Sequence, residues 1–311
     1  CNSLTAVELV TADGTLVRAD AMTHPHLFWA LRGGGGNFGV VTALEFRLFP
    51  ITDVYAGMLL WDLAHAEPVL RRWAAWSAQA PDEVTTSLRF LRFPPLPELP
   101  DFLRGRQLVV IDGAVLADDA RGEELIAPLR ELSPELDTFA RTPAAALTRL
   151  HMDPEGPTPA VGASTLLEGL DEGAIQAFLQ AAGPGASTSL LAAELRQLGG
   201  ALSRKAPDAG ALSQIDGAYA GFFVAIAATP EMAEAGAVDT ARLVDALAPW
   251  STGSQYLNFA ETPVDARDAY DTGDWLKLRR IRSQVDRGDM VVANHPISVL
   301  PPVDELSSTR G

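Results

Sequence analysis

Residues 32–41 read RGGGGNFGVV, and a run of four glycines from Gly33 to Gly36 weakens a fold unless something must approach the bare backbone closely. Gly34-Gly35-Gly36-Asn37-Phe38-Gly39 spells G-x-G-x-x-G, the spacing of a dinucleotide-binding loop. The context argues against a nicotinamide site. In that fingerprint a strand leads in and a helix leads out, so that the helix N-terminus receives the pyrophosphate. Here a helical pattern precedes the glycines and a strand pattern follows them. Two readings stay open: a turn that lets helix and sheet pack closely, and a backbone laid against a flat or phosphate-bearing cofactor. Further on, Tyr256-Leu257-Asn258-Phe259 reads as strand, whose two-residue period would turn Tyr256 and Asn258 to one face. A tyrosine there accepts a proton only if a cation or hydrogen bonds bring its phenol below its free value of about 10; otherwise it is half-buried packing. Asn294-His295-Pro296 is similarly either part of a site or the organiser of a turn.

Other chemistries lack their residues. The five histidines, at 24, 26, 65, 151 and 295, show no metal-ligand spacing, and there is no G-x-S-x-G elbow, Walker loop, H-E-x-x-H or cysteine pair. The 40 acidic against 24 basic residues give a formal charge of -16, which repels a nucleic-acid backbone. A phosphate-bearing cofactor would therefore depend on backbone N–H donors. The single cysteine, Cys1, allows no internal disulfide and suits a reducing, cytoplasmic setting. No apolar run approaches the roughly 20 residues that span a bilayer, so no membrane partner is expected. Because the chain starts at Cys1 and enters a strand-like pattern directly, we expect a truncated or cleaved polypeptide rather than a lipoprotein.

The elements that must position these residues follow from periodicity. Apolar residues on both sides of Asp13-Gly14 predict a hairpin. THPHLFWALR predicts a short helix capped by Thr23 with Pro25 in its first turn, and VVTALEFRLFP predicts a strand. From about residue 53, helical runs (AEPVLRRWAAWSAQA, DDARGEELIAPLREL, DEGAIQAFLQAA, PEMAEAGAVDTARLVDALAPW) alternate with strand-like ones (TTSLRFLRF, RQLVVIDGAVL, TSLLAAELRQL, AYAGFFVAIAA). Such a pattern predicts an α+β domain, helices on one face of a mostly antiparallel sheet. AYDTGDWLKLRRIRSQVD predicts a basic helix whose Lys277, Arg279, Arg280 and Arg282 form a solvated face with charge pairs, and DMVVANHPISVLPP an extended tail.

The segments ELVTADGTLVRAD, HPHLFWALRGGGGNFGVVTALEFRL, ELRQLGGAL, YLNFAE, W-L-K-L-R-R-I-R-x-x-x-D and ANHPI, taken in order, resemble the berberine bridge enzyme-like oxidoreductases of the vanillyl-alcohol-oxidase-type FAD superfamily. The resemblance spans essentially the whole chain, strongest at its ends. It implies a partial, discontinuous FAD-binding domain formed by residues 1–52 and 251–311, with a substrate domain at 53–250. It implies that Gly34, Gly35, Gly36, Asn37, Gly39 and Val40 lie against the cofactor, with Tyr256 and Asn258 at the flavin ring and Asn294 near it. The implied reaction passes a hydride from a hydroxyl-bearing small molecule, a sugar or secondary metabolite, to FAD. Molecular oxygen is a candidate acceptor, Tyr256 the first choice of base, and Glu194 the weaker one, with an ion pair to Arg196 as its bland alternative. The family's pyrophosphate loop and flavin-linking histidine have no counterpart, Cys1 does not match the linking cysteine, and Arg287 stands where proline is common. The isolated chain is accordingly expected to bind FAD weakly and to expose an apolar flank. The contrasting expectation is a non-catalytic small-molecule-binding fragment.

Overall fold

The structure is a computed structural model and describes residues 1–97, 99–153 and 156–301. Strands β1 (Leu4–Val10) and β2 (Leu16–Asp20) form the expected hairpin, in which Gly14 takes the left-handed conformation at φ 80° and Asp13 Oδ1 accepts from Thr15 N at 3.1 Å. Helix α1 (Pro25–Leu31) follows, but Thr23 does not cap it. The cap position is His24, at φ 52° with no side-chain hydrogen bond, while Asp20 Oδ1 accepts from the N–H groups of Met22 (2.9 Å) and Thr23 (2.7 Å) in the turn before the helix. Strand β3 (Val40–Phe46) then pairs with β1, giving an antiparallel sheet ordered β2-β1-β3.

The second sheet is larger. It is built from β4 (Asp53–Asp62), β5 (Val84–Arg92), β6 (Gln107–Val115), β7 (Leu136–Asp137), β8 (Ala140–Pro143), β9 (Ala160–Leu167), β10 (Leu190–Gln197) and β11 (Tyr219–Ile226). Its order is β7-β4-β6-β5-β10-β11-β9, with β8 also on β4, and every strand pair among the described residues is antiparallel. Helices α2 (Ala66–Ser77), α3 (Asp119–Arg130), α4 (Glu172–Ala182) and α5 (Pro230–Leu247) cover one face, where Trp61, Trp73, Phe90, Phe178, Leu195 and Phe223 form the main core. The α+β architecture is thus as expected. Asp118, Asp171 and Thr229 cap α3, α4 and α5 by accepting from the backbone N–H three residues on.

Strand alternation decides what the other face carries. On β10, Ala193 and Leu195 point into the main core, which turns Glu194 and Arg196 to the helix-free side. Ser87 and Arg89 on β5 and Asp112 on β6 share that side, since their neighbours Leu88, Phe90 and Ile111 are in the core.

Helix α6 (Thr272–Val285), capped by Asp271, returns to the start of the chain. Its Leu278 and Ile281 join Val7, Leu9, Leu27, Phe28, Phe38 and Ile297 in a second core. The solvated basic face expected of α6 forms only in part, with Arg280 exposed. Arg282 is only 2% exposed, donating to the carbonyls of Asn37 and Val291 and pairing with Asp286 (3.0 Å) and Asp289 (2.8 Å). Arg279 holds the carbonyls of Ser298 and Val299, each at 3.1 Å, and the Lys277 ammonium sits 3.5 Å from the centre of the Trp29 ring. These cations are consumed in tying the tail to the N-terminal segment.

Candidate functional site

The glycine loop divides its labour. A Cβ on Gly34 would lie 2.5 Å from the Ala30 carbonyl oxygen and 2.7 Å from the Phe38 ring, and one on Gly39, at φ 144°, would lie 2.4 Å from the Val10 carbonyl oxygen. Those two glycines exist for packing. Gly36 is open to space, and Gly35, at φ 66°, meets only the Asn37 amide at 3.6 Å. Among the described residues the N–H groups of Gly35 and Gly36 find no protein acceptor, which leaves two exposed backbone donors side by side. Asn37 fixes the loop: its Nδ2 donates to the carbonyls of Gly34 (2.9 Å) and His295 (3.1 Å), and its Oδ1 accepts from Ile297 N (2.8 Å). Tyr270 adds a hydrogen bond to the Gly33 carbonyl at 2.8 Å, and burial pushes its phenol up to about 12.

A cleft of about 830 Å³ opens on this loop, a size suited to a small molecule or part of a cofactor. Gly35, Gly36, Asn37, Tyr256, Asn258 and Asn294 line it together, although they come from three distant stretches of chain. Gly34, Gly39 and Val40 do not line it, and Val40 is exposed on β3. Nor does Tyr256 belong to a strand. Leu257–Phe259 is a 3₁₀ turn closed by Phe259 N donating to the Tyr256 carbonyl at 2.8 Å, so the two-residue period does not apply and Tyr256 and Asn258 enter the cleft from successive sides of a turn. The Tyr256 hydroxyl makes no hydrogen bond within the described residues. Its ring packs on Phe259 at 5.0 Å, and Phe259 in turn meets Phe222 at 5.2 Å and carries the Arg196 guanidinium at 5.2 Å.

Glu194 stands elsewhere, on the helix-free face of the large sheet. It is 3% exposed, and both carboxylate oxygens are taken, Oε1 by Arg196 Nε at 2.7 Å and Oε2 by His151 Nε2 at 3.3 Å. The other ring nitrogen of His151 faces Asp112 at 3.2 Å, and Asp112 is also bound by Arg89 and by the Ser87 hydroxyl (2.8 Å). Burial by itself raises both carboxyls, but the hydrogen bonds from His151 and the neighbouring arginines outweigh it and hold Asp112 and Glu194 below their ordinary values. Burial would lower the imidazole, and the two carboxylates reverse that and lift His151 to about 9. Sequence reading anticipated the Glu194–Arg196 pair, two residues apart on one strand. It missed His151 and Asp112, which reach Glu194 only through the fold. No trio of His, Cys, Asp or Glu among the described residues is placed to hold a metal ion.

No family model matches the chain. It is similar to wild-type BBE-like 1 of Physcomitrella patens, with a TM-score of 0.77 at 18% identity over 96% of this chain and 66% of that one. It is similar also to 6-hydroxy-D-nicotine oxidase of Arthrobacter nicotinovorans, with a TM-score of 0.78 at 19% identity over 97% of this chain and 67% of that one. Its fold is that of the berberine bridge enzyme-like oxidoreductases. In sequence, 95 residues are 37% identical to an uncharacterized FAD-linked oxidoreductase, YgaK, of Bacillus subtilis, a match covering 29% of this chain and 21% of that protein. The chain therefore aligns with about two thirds of the berberine bridge enzyme-like structures and a smaller share of its curated relative. No helix of the described residues is long and apolar enough to cross a membrane.

Proposed function

We propose that this chain supplies the flavin-ring side and the substrate side of an FAD-dependent oxidoreductase that oxidises a hydroxyl-bearing small molecule. The observation that carries the reading is the cleft, where the bare backbone of Gly35 and Gly36 meets Tyr256, Asn258 and Asn294. Two free N–H donors on residues without side chains suit a flat, acceptor-rich ring system, so the residues present fit a flavin. When bound, FAD supplies the hydride acceptor. Gly35 and Gly36 would hold the ring by backbone hydrogen bonds, and Asn258 and Asn294 would orient ring and substrate. Tyr256, whose hydroxyl bonds to no described residue, would take the proton of the substrate hydroxyl only where the bound ligand supplies the hydrogen bonds that stabilise its phenolate. Glu194 is the weaker base because two cations already occupy both its oxygens and hold its proton affinity down. We assign residues 1–52 and 251–311 to the flavin domain and 53–250 to the substrate domain, a division that the two cores support apart from Ala211, which joins the core of the first.

The same reading holds that the chain by itself binds FAD weakly, since its sequence offers no glycine loop between a strand and a helix for the pyrophosphate. The test is a titration with FAD, followed by the flavin absorbance band, of the chain alone and of the chain extended with whatever its gene encodes upstream. Weak, saturable binding alone and a stable band in the extended form support the proposal. No band in either form removes the flavin and leaves a non-catalytic binding module.

A further inference from the structure

The helix-free face of the large sheet is crossed by a strap, residues 144–153, that leaves β8 and passes over β6 and β5 towards β10. Its N–H at Ala144 bonds to the Thr52 carbonyl at 2.9 Å, and Arg149 is also engaged. Met152, at φ 57°, packs against a small apolar cluster of Leu60, Leu91, Leu103, Leu108 and Val110, and the His151 carbonyl accepts from Arg89 at 2.7 Å. The His151 ring makes a further contact, with Asp112 at 3.2 Å on Nδ1 and Glu194 at 3.3 Å on Nε2. A carboxylate is acceptor-only, whereas neutral imidazole has one donor and one acceptor nitrogen. Both contacts are hydrogen bonds only when the ring carries two protons. A neutral ring would aim a lone pair at a buried carboxylate and leave that carboxylate short of a partner, a costly arrangement away from water.

We propose that His151 is a proton-operated clasp: as an imidazolium it locks the strap across the helix-free face and covers the Glu194 carboxylate, and on losing its proton it releases both. The charged groups facing it are Asp112 on β6, Arg89 on β5, and Glu194 and Arg196 on β10, with Asp153 of the strap adding to the field at Arg196. The carboxylates are acceptors for the ring; the arginines already donate to them, and Arg196 Nη2 also stands 3.5 Å from His151 Nε2, a contact that can be a hydrogen bond only to the lone pair of a neutral ring. Because the folded value is raised above the ordinary one, the clasp contributes its full stabilisation below pH about 6.5. That contribution is lost as pH rises through about 9. The device is independent of any cofactor.

The experiment uses the full chain, labelled with ¹⁵N. One readout is the protonation of the two His151 ring nitrogens, and the other is amide exchange at Leu150 and Met152, whose N–H groups bond to the carbonyls of Leu147 and Arg149. Both nitrogens should carry protons at neutral pH, and the ring should lose one of the two near pH 9. Over the same range, strap amides, corrected for intrinsic base catalysis, should exchange roughly tenfold faster or more while α5 stays protected. A ring that titrates at its ordinary value overturns the proposal, as does a strap whose protection ignores the titration. In His151→Gln the strap should be open at every pH with the helical core intact, and a protected strap there is equally fatal. If that variant fails to fold, the wild-type titration decides alone.

Discussion

At the scale of single residues the glycine loop separates two kinds of requirement that one run of letters conceals. Gly39→Ala must place a Cβ 2.4 Å from the Val10 carbonyl oxygen at a φ of 144°, so chemical denaturation should show a loss of about 2–4 kcal/mol. Gly36→Ala meets nothing and should leave the unfolding midpoint within ~0.5 kcal/mol while weakening flavin retention in the loaded enzyme. Equal destabilisation of the two variants would mean that Gly36 too is a packing residue. Tyr256 permits a cleaner separation, because its ring packs on Phe259 while its hydroxyl makes no hydrogen bond to a described residue. Tyr256→Phe keeps the packing and removes the proposed proton acceptor. The loaded enzyme should lose roughly 10²–10⁴ in kcat with KM little changed, the range for removing a general base. A fall of less than threefold would shift the role to another group, Glu194 first.

At the scale of elements, the tie between the last helix and the glycine loop depends on one buried charge. Arg282 neutralises Asp286, whose oxygens also accept from Met290 N (2.9 Å) and Val291 N (2.8 Å), and it reaches the Asn37 carbonyl in the loop. Arg282→Met would leave that carboxylate uncompensated and should cost about 3–5 kcal/mol in thermal or denaturant unfolding. A smaller loss would be expected from the double change with Asp286→Leu, and a larger one would show that the pair is not the source. Elements of this kind were legible where local patterning and packing agree. The apolar periodicity of α2, α4 and α5 and the aspartate or threonine before α3 to α6 announce helices whatever the tertiary context. Where context decides, local reading failed. Tyr256-Leu257-Asn258-Phe259 reads as strand but closes into a turn, and the first helix begins one residue after Thr23, at His24, with no side-chain cap. The basic letters of α6 do not disclose that one of them is buried. The His151 cluster left no local signal, because its members sit on β6, β10 and a connecting strap and become neighbours only when β5 pairs with both strands.

At the scale of the whole molecule the small sheet has one side unfinished. Every residue of β3 is exposed, and Val41, Leu44 and Phe46 retain 45%, 53% and 56% of their accessible surface, with Leu48 and Phe49 continuing the strip. Among the described residues β3 is also an edge strand, paired with β1 alone, so unpaired backbone groups lie beside this apolar surface. Soluble monomers rarely leave so much contiguous apolar surface uncovered. The charge of -16 opposes association by repulsion between molecules, and salt screens that repulsion over about 8–10 Å without touching the apolar contact. The two forces can therefore be separated by ionic strength. Sedimentation velocity of the purified chain should show self-association that grows with concentration and with added salt, and Leu44→Lys with Phe46→Lys should abolish it while leaving the unfolding midpoint nearly unchanged, since both side chains are already in water. Association that weakens as salt rises would instead indicate charge pairing, such as the exposed Arg18–Glu45 bridge between β2 and β3, as its cause. A chain that stays monomeric at high salt would show the β3 strip to be tolerated surface, and would remove the reason to regard it as the side of the flavin domain that awaits a cover.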